Sequence, residues 1–267
     1  MTCKICLKAV NSLRAALKLL PVILFWLLVW ELAAVIIGSD IVIVTPRVTF
    51  TRLVELAATS VFWQSIGTTL GRILRGFLYA LVSGVILAAL AAKFNTFFKL
   101  ILPAVNTMNA VPIASFTILA LIAFNPSNLA IFVSFVTVLP IVFYNTHKGI
   151  ESTDPQLLEM AQIFRVPMHK KIFHIFFKTV APYVAAAATS GIGFAWKSGI
   201  AAELIGQVNG TIGMNLHVAR IWLNTADVFA WTVAIVLLSY IMERIFRLIL
   251  RVKKCEKSKK GTRATDF

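Results

Sequence analysis

The stretch LGRILRGFLYALVSGVILAALAA, Leu70–Ala92, decides how this chain is read. Its only charges, Arg72 and Arg75, sit near its start, and the whole exceeds the roughly 20 residues that a helix needs to cross a hydrocarbon core. Similar apolar windows fall at Leu17–Ile37, Leu100–Phe124, Leu129–Tyr144, Ala181–Ile205 and Val228–Leu250. Six such windows in 267 residues, 59% of them apolar, with a mean hydropathy of +0.85, leave little chain for an aqueous domain. The sequence therefore predicts an all-α membrane protein with six transmembrane helices. Pro103 and Pro112 fall inside the third window, where neighbouring helices or local unwinding can satisfy the carbonyls that proline frees.

Charge sets the orientation. The net charge of +15 would suit nucleic acid in a soluble protein, but here the basic residues flank apolar runs, so no nucleic-acid partner is expected. With both termini cytoplasmic, the inner segments hold Lys4, Lys8, Arg14 and Lys18, then Lys93 and Lys99, then Lys148, Arg165, Lys170, Lys171 and Lys178, then the tail from Arg244 onward. The outer loops keep only Arg47, Arg52 and Arg220. The domain plan is a cytoplasmic segment 1–16, a six-span body 17–250 with a cytoplasmic loop 147–180, and a basic tail 251–267 that anchors orientation or sits on anionic lipid. The first window is too long for a signal-peptide h-region, so it reads as an uncleaved span. The outer segment Gly38–Thr68, with its amphipathic stretch Val48–Ala58, is expected to lie along the membrane surface.

The cytoplasmic loop carries local structure. Asp154 before Pro155 is a helix start, because the carboxylate can accept free N–H groups and proline suits the first helical position. The spacing predicts a helix from Pro155 to about Phe164 with an apolar face of Leu157, Leu158, Ala161 and Phe164. Val166-Pro167 interrupts the pattern, and a second short helix is expected from Pro167 through Phe177. Such a pair suits either a protein partner or lipid headgroups, with Lys170, Lys171 and Lys178 snorkelling.

The segment Asp154-Pro155-Gln156-Leu157-Leu158-Glu159-Met160-Ala161, continuing to Pro182, resembles the EAA loop of binding-protein-dependent ABC transporter permeases. Pro46, Arg72 with Gly76-Phe77, Val111-Pro112, and Pro140 with Asn145-Thr146 and Gly149 agree with it. Gly193-Phe194-Ala195-Trp196, Ala201-Ala202-Glu203 with Gly206, and Gly210 with Gly213 are similar to the sulfonate, taurine and nitrate branch. The resemblance covers roughly Thr45 to Leu250. Arg165 stands where the family carries a glycine at the bend, Lys178 where it usually has a proline, and Ile118 and Asn125 replace a proline and a glycine. Because an arginine takes positive φ only at a cost, the bend is expected to be set by Pro167.

The resemblance implies a permease subunit of an ATP-driven importer in a bacterial inner membrane. Its partners would be a second permease copy, two cytoplasmic ATP-binding subunits, an extracytoplasmic solute-binding protein and membrane lipids. ATP and Mg would belong to the partner subunits, and this chain would hold no cofactor. Asp154, Leu157, Leu158, Glu159, Ala161, Phe164 and Arg165 would form the ATPase-coupling surface, with small Ala161 allowing close approach. A stand-alone channel or secondary carrier, a membrane-embedded enzyme and an assembly scaffold are the rival classes. No G-x-x-x-x-G-K-[ST] phosphate loop occurs in the chain, so ATP work would come from another subunit.

Ionisable residues inside spans are costly and point to function. Glu31, Arg75 and Glu203 lie toward the outer ends, where headgroups or water can solvate them, whereas Lys197 is deeper. Lys197 and Glu203 are six apart and point to faces roughly 120° apart, so they do not pair. Lys197 on the pathway would favour an anionic solute. Asn106 and Asn109 share a helical face, and with Ser115, Trp196, Lys197 and Glu203 they are the translocation-pathway candidates; interhelical bonding or packing accounts for such polar and aromatic residues equally well. Cys3 and Cys6 have C-x-x-C spacing without a second pair, and His169 and His174 are five apart, so no metal site and no catalytic set is expected.

Overall fold

The structure, a computed structural model, describes residues 21–262, with side chains described for residues 21–248. Cys3, Cys6, Lys4, Lys8, Arg14, Lys18, the segment 1–16 and the expected start of the first span at Leu17 lie outside the described residues, as does the side chain of Cys255. Regular structure among the described residues is helical: α1 (Pro21–Ile37), α2 (Pro46–Ala57), α3 (Ser60–Lys93), α4 (Asn95–Ala110), α5 (Ile113–Ala123), α6 (Pro126–Glu151), α7 (Pro155–Ile163), α8 (Met168–Lys171), a π-helical turn Ile172–Phe176, α9 (Phe177–Gly206), α10 (Ile212–Ile221) and α11 (Thr225–Thr262).

Three helices begin with the same device, a polar cap followed by proline. Thr45 precedes Pro46, Asn125 precedes Pro126 and Asp154 precedes Pro155, and each cap side chain accepts a backbone N–H of the first turn. Proline loses nothing there, since that N–H has no partner inside a helix.

Four helical stretches are long and apolar enough to cross a membrane: α3, α6, the run Met168–Gly206 and Thr225–Leu248 of α11. A fifth counts if α4 and α5 are one broken span. The described part of α1 is apolar over 17 residues, about 25 Å of helix.

Two expectations are corrected. The third window is not one rod: α4 and α5 meet at 108° across Val111 and Pro112. Pro112 has no N–H to donate and forces Val111 into extended backbone (φ −74°, ψ 131°), so the helix stops and restarts. Pro103, in contrast, stays inside α4. The second loop helix is not separate either, because α8, the π turn and α9 run on as one helix of 39 residues, Met168–Gly206, with Pro182 inside it. The π turn absorbs an extra residue where a break was expected. The non-helical loop shrinks to a few residues on either side of α7.

The chain divides into two compact units. Residues up to Thr59 together with Val218–Ala234 form one. Within it the Trp30 indole donates to the Val44 carbonyl (2.9 Å) and stacks on Phe229, and the Thr225 hydroxyl donates to the Ile41 carbonyl (2.8 Å). Arg52 forks onto both carboxylate oxygens of Asp227 and bonds Glu55 (2.7 Å), which raises its pKa further above the ordinary arginine value.

Ser60–His217 with the chain from Ile235 onward form the other unit. Here α6 is the central helix, with 61% of its apolar window buried against 33% or less for the other three long spans. Ile73, Phe77, Leu129, Val133, Phe143, Ile192 and Trp196 fill the core. Two hydrogen bonds between helices thread it: Ser134 Oγ donates to the Ala195 carbonyl (3.1 Å), and Trp196 Nε1 to the Ile235 carbonyl (3.1 Å). Such bonds join helices where no water competes.

Candidate functional site

The segment around α7 combines a rigid bend with an unpaired apolar face. Asp154 accepts the Gln156 N–H (2.9 Å) and starts the helix as its sequence predicts. At the other end, Val166 N–H donates to the Ala161 carbonyl (2.9 Å) and Arg165 N–H to the Gln162 carbonyl (3.0 Å). This is the Schellman pattern, whose left-handed position is taken by Arg165 (φ +49°). The bend is therefore set by Arg165 itself, and not by Pro167 alone, because the two terminal hydrogen bonds hold the arginine where glycine is usual.

Ala161 is buried within the chain under that turn and lines the floor of the groove beside it. Leu158 is half-buried, while Leu157, Glu159 and Arg165 are exposed. Exposed beside them are Met160, Ile163 (78%) and Phe164 (73%). Leu157, Met160, Phe164 and Val166 also line a groove of about 380 Å³ against Lys170, His174 and Ile175. Met160 and Ile163 belong to this outward surface although helical periodicity assigned them to no face. A nine-residue helix keeps so much apolar surface exposed only where something else covers it.

Glu203 is not solvated at a helix end as expected: it is 0% exposed. Thr69 Oγ1 donates to Glu203 Oε2 (2.8 Å) and accepts the Ile212 N–H (3.1 Å), which ties α3, α9 and the start of α10 through one hydroxyl. Arg72 Nη1 lies 3.9 Å from Glu203 Oε1, and both atoms are buried without a hydrogen-bond partner. Gly213 permits this approach, since a Cβ there would lie 2.5 Å from that of Glu203. The chain reaches Gly213 through Gln207 (φ +49°) and Gly210 (φ +69°). Arg72 and Glu203 together form a structural clamp that no spacing in the sequence reveals.

The remaining pathway candidates separate. Trp196 is buried core, whereas Asn106, Asn109 and Ser115 are exposed. The Tyr144 hydroxyl donates to Asn106. Asn106 and Asn109 sit three apart on α4, while Ser115 lies beyond the 108° bend on α5. Lys197 is exposed on a cleft of about 260 Å³ with Thr189, Ser190, Gly193, Glu243 and Arg247. Arg247 Nη2 bonds Glu243 Oε2 (3.1 Å). The involvement of α11 is the part that the sequence reading missed. Among the described residues no group of three His, Cys, Asp or Glu side chains could hold a metal.

Apolar helices long enough to span a bilayer, a short exposed helix between two of them and charges set within the spans define a membrane component. Residues 80–252 match the family described as binding-protein-dependent transport system inner membrane component, and the chain belongs to that family. It is 26% identical over 158 residues to a bicarbonate transport system permease protein of Synechocystis sp., covering 59% of this chain and 55% of that protein. To a nitrate import permease protein of Leptolyngbya laminosa it is 25% identical over 158 residues, again 59% of this chain and 55% of the other. The match thus spans about half the length of these two relatives. A protein of Bacillus subtilis assigned as an aliphatic sulfonates transport permease is 25% identical over 238 residues, 87% of this chain and 84% of its own. The fold is shared with a bacterial ABC transporter involved in the import of the acidic polysaccharide alginate, at a TM-score of 0.61 and 15% identity over 90% of this chain and 96% of that one.

Proposed function

We propose that this chain is the transmembrane permease subunit of an ATP-driven importer for a small anion. The observation that carries the reading is α7: a capped, sharply terminated helix whose Leu157, Met160, Ile163 and Phe164 remain exposed between two long helices. A rigid helix of this kind can enter a cleft on a cytoplasmic ATPase and pass its movement to α6 and to Met168–Gly206, to which it is joined directly. Glu159 and Arg165 supply polar contacts at the rim.

The six spans are α1, α3, the broken pair α4 and α5, α6, Met168–Gly206 and α11, with both termini cytoplasmic by the distribution of lysine and arginine. Two such subunits, identical or different, would enclose the path in a bacterial inner membrane, with two ATP-binding subunits below and a solute-binding protein outside. The alginate transporter has been seen with a periplasmic protein bound to an alginate pentasaccharide, which supports the last partner. Bicarbonate, nitrate and sulfonates, named for the relatives, are all anions, which supports the solute class.

The test is the pair of variants Phe164→Asp and Ile163→Asp in the tagged chain purified from its own host. Each is expected to insert in the membrane as the parent does and to recover less than a tenth of the parent's ATPase subunit, on the order of the loss from removing one buried aromatic or aliphatic anchor. Unchanged recovery of the ATPase would contradict the role of α7. Solute movement without ATP, driven by an ion gradient, would establish the carrier reading instead.

A further inference from the structure

We infer that the cleft between α9 and α11 binds a singly charged oxyanion, with Lys197 as the contacting cation and Glu243 as the group that rejects dianions. The inference rests on the permease reading above, which places both helices in a bilayer.

Lys197, Glu243 and Arg247 lie in helices long and apolar enough to span, yet all three side chains keep exposed surface. Charge inside a bilayer is held by a partner or by water, not by lipid tails. Arg247 has its partner, Glu243, at 3.1 Å. Lys197 has none among the described residues. Lys197 stands nine residues before the end of α9 at Gly206, about 14 Å of helix, and across the cleft its neighbours Glu243 and Arg247 lie in the last six residues of the α11 span, Thr225–Leu248. Water must therefore reach the cleft.

The cleft is also shaped for a ligand. Ser190, Gly193 and Lys197 fall at i, i+3 and i+7 on one face of α9. Gly193 lets the Glu243 carboxylate sit close against α9: a Cβ there would lie 2.7 Å from Glu243 Oε1. Thr189 gives its proton to the Ala185 carbonyl (2.8 Å), but the Ser190 hydroxyl has no partner among the described residues and is free to donate. The Lys197 ammonium and the Ser190 hydroxyl, two turns apart on that face, suit the oxygens of a carboxylate, sulfonate or nitrate.

The charges then set the valence. Two cations and one carboxylate leave a single positive charge, which a monoanion neutralises. A dianion would leave a net negative charge beside Glu243, which the carboxylate repels. A lipid phosphodiester has the same single charge as a solute oxyanion, and the experiment separates the two.

The experiment uses the full chain in phosphatidylcholine vesicles, with Cys3, Cys6 and Cys255 changed to serine and Thr189→Cys as the reporter. Its modification is timed with a sulfonate-bearing and a trimethylammonium-bearing methanethiosulfonate, each normalised to free cysteine. The sulfonate reagent should react about tenfold faster, Lys197→Met should abolish that preference and Lys197→Arg should keep it. Methanesulfonate should protect the thiol and sulfate should not, whereas in Glu243→Gln sulfate should protect as well. A thiol that neither reagent reaches, equal rates, or equal protection by sulfate in the parent would overturn the inference. So would protection that appears only on adding phosphatidylglycerol, which would assign the cleft to lipid. The assay needs no ATPase, so selective labelling in a chain that recovers no ATPase keeps the cleft and removes the permease reading.

Discussion

Val166 N–H donates to the carbonyl of Ala161 at 2.9 Å, closing a Schellman turn whose left-handed residue is an arginine. The bond buries Ala161, fixes the exit of α7 and turns Phe164 outward. Replacing Arg165 tests the strain. A non-glycine residue in the left-handed region costs roughly 1–2 kcal/mol, partly offset by the greater unfolded-state freedom of glycine, so Arg165→Gly should stabilise the chain by about 1 kcal/mol. Arg165→Ile should destabilise it by at least as much. Thermal unfolding of the two variants in one detergent checks both signs.

The buried pair Arg72 and Glu203 predicts strong non-additivity. Glu203→Ala leaves a guanidinium only 17% exposed without its counter-charge and should cost about 3 kcal/mol. The double variant Glu203→Ala with Arg72→Met should recover most of that loss, because no lone charge remains. Denaturant unfolding of the four chains in a double-mutant cycle measures the coupling; additive costs would mean that the two side chains do not interact.

Gly213→Ala should fail for a different reason. Its Cβ would meet Glu203 Cβ at 2.5 Å, with backbone atoms on the same side at 2.6 and 2.7 Å, so neither neighbour can rotate away. Overpacking of this sort costs about 2 kcal/mol. Gly67→Ala, inside α3 with nothing within 4 Å, is the control and should stabilise by about 0.5–1 kcal/mol in the same unfolding assay, because glycine is the weaker helix former.

Arg52 reaches Asp227 with two nitrogens, a geometry that lysine cannot copy. Arg52→Lys should therefore lose about 1 kcal/mol, and Asp227→Asn a similar amount, without summing in the double variant. Asp227 and Glu55 raise the pKa of Arg52, so the contribution is present below the ordinary arginine pKa and would be lost only as pH rises beyond it. Stability in the parent should show no loss from this pair between pH 7 and about pH 10, followed by circular dichroism.

Glu159 is exposed on α7, at the rim of the proposed ATPase contact. Glu159→Lys should leave membrane insertion intact and reduce solute uptake per ATP hydrolysed by about tenfold, the effect of losing and reversing one interfacial charge. Reconstituted transport at the parent rate would remove Glu159 from the coupling surface.

Local chemistry in this chain was legible because it lies within a few residues. Asp154-Pro155 announced α7, and the apolar windows announced the long helices, since capping and lipid solvation act on contiguous chain. Pro112 stood out inside the third window, but the 108° break that it makes did not, because Pro103 in the same window stays within a helix. The run through Ile172–Phe176 hid the continuity of α8 with α9, because a π turn has no signature of its own. Glu203 read as a solvated end because its partner Thr69 is 134 residues away in sequence. Lys197 stood out as a charge in a span, yet the neighbours that give it meaning, Glu243 and Arg247, belong to another helix altogether.

The most direct measurement of the central claim is quantitative mass spectrometry of the tagged chain, gently solubilised from its own host with whatever accompanies it in fixed ratio. The account predicts one ATP-binding subunit per permease chain, recovered with a solute-binding protein whose pocket is built for a small anion. Recovery of the chain alone, still moving solute after reconstitution without ATP, would contradict it.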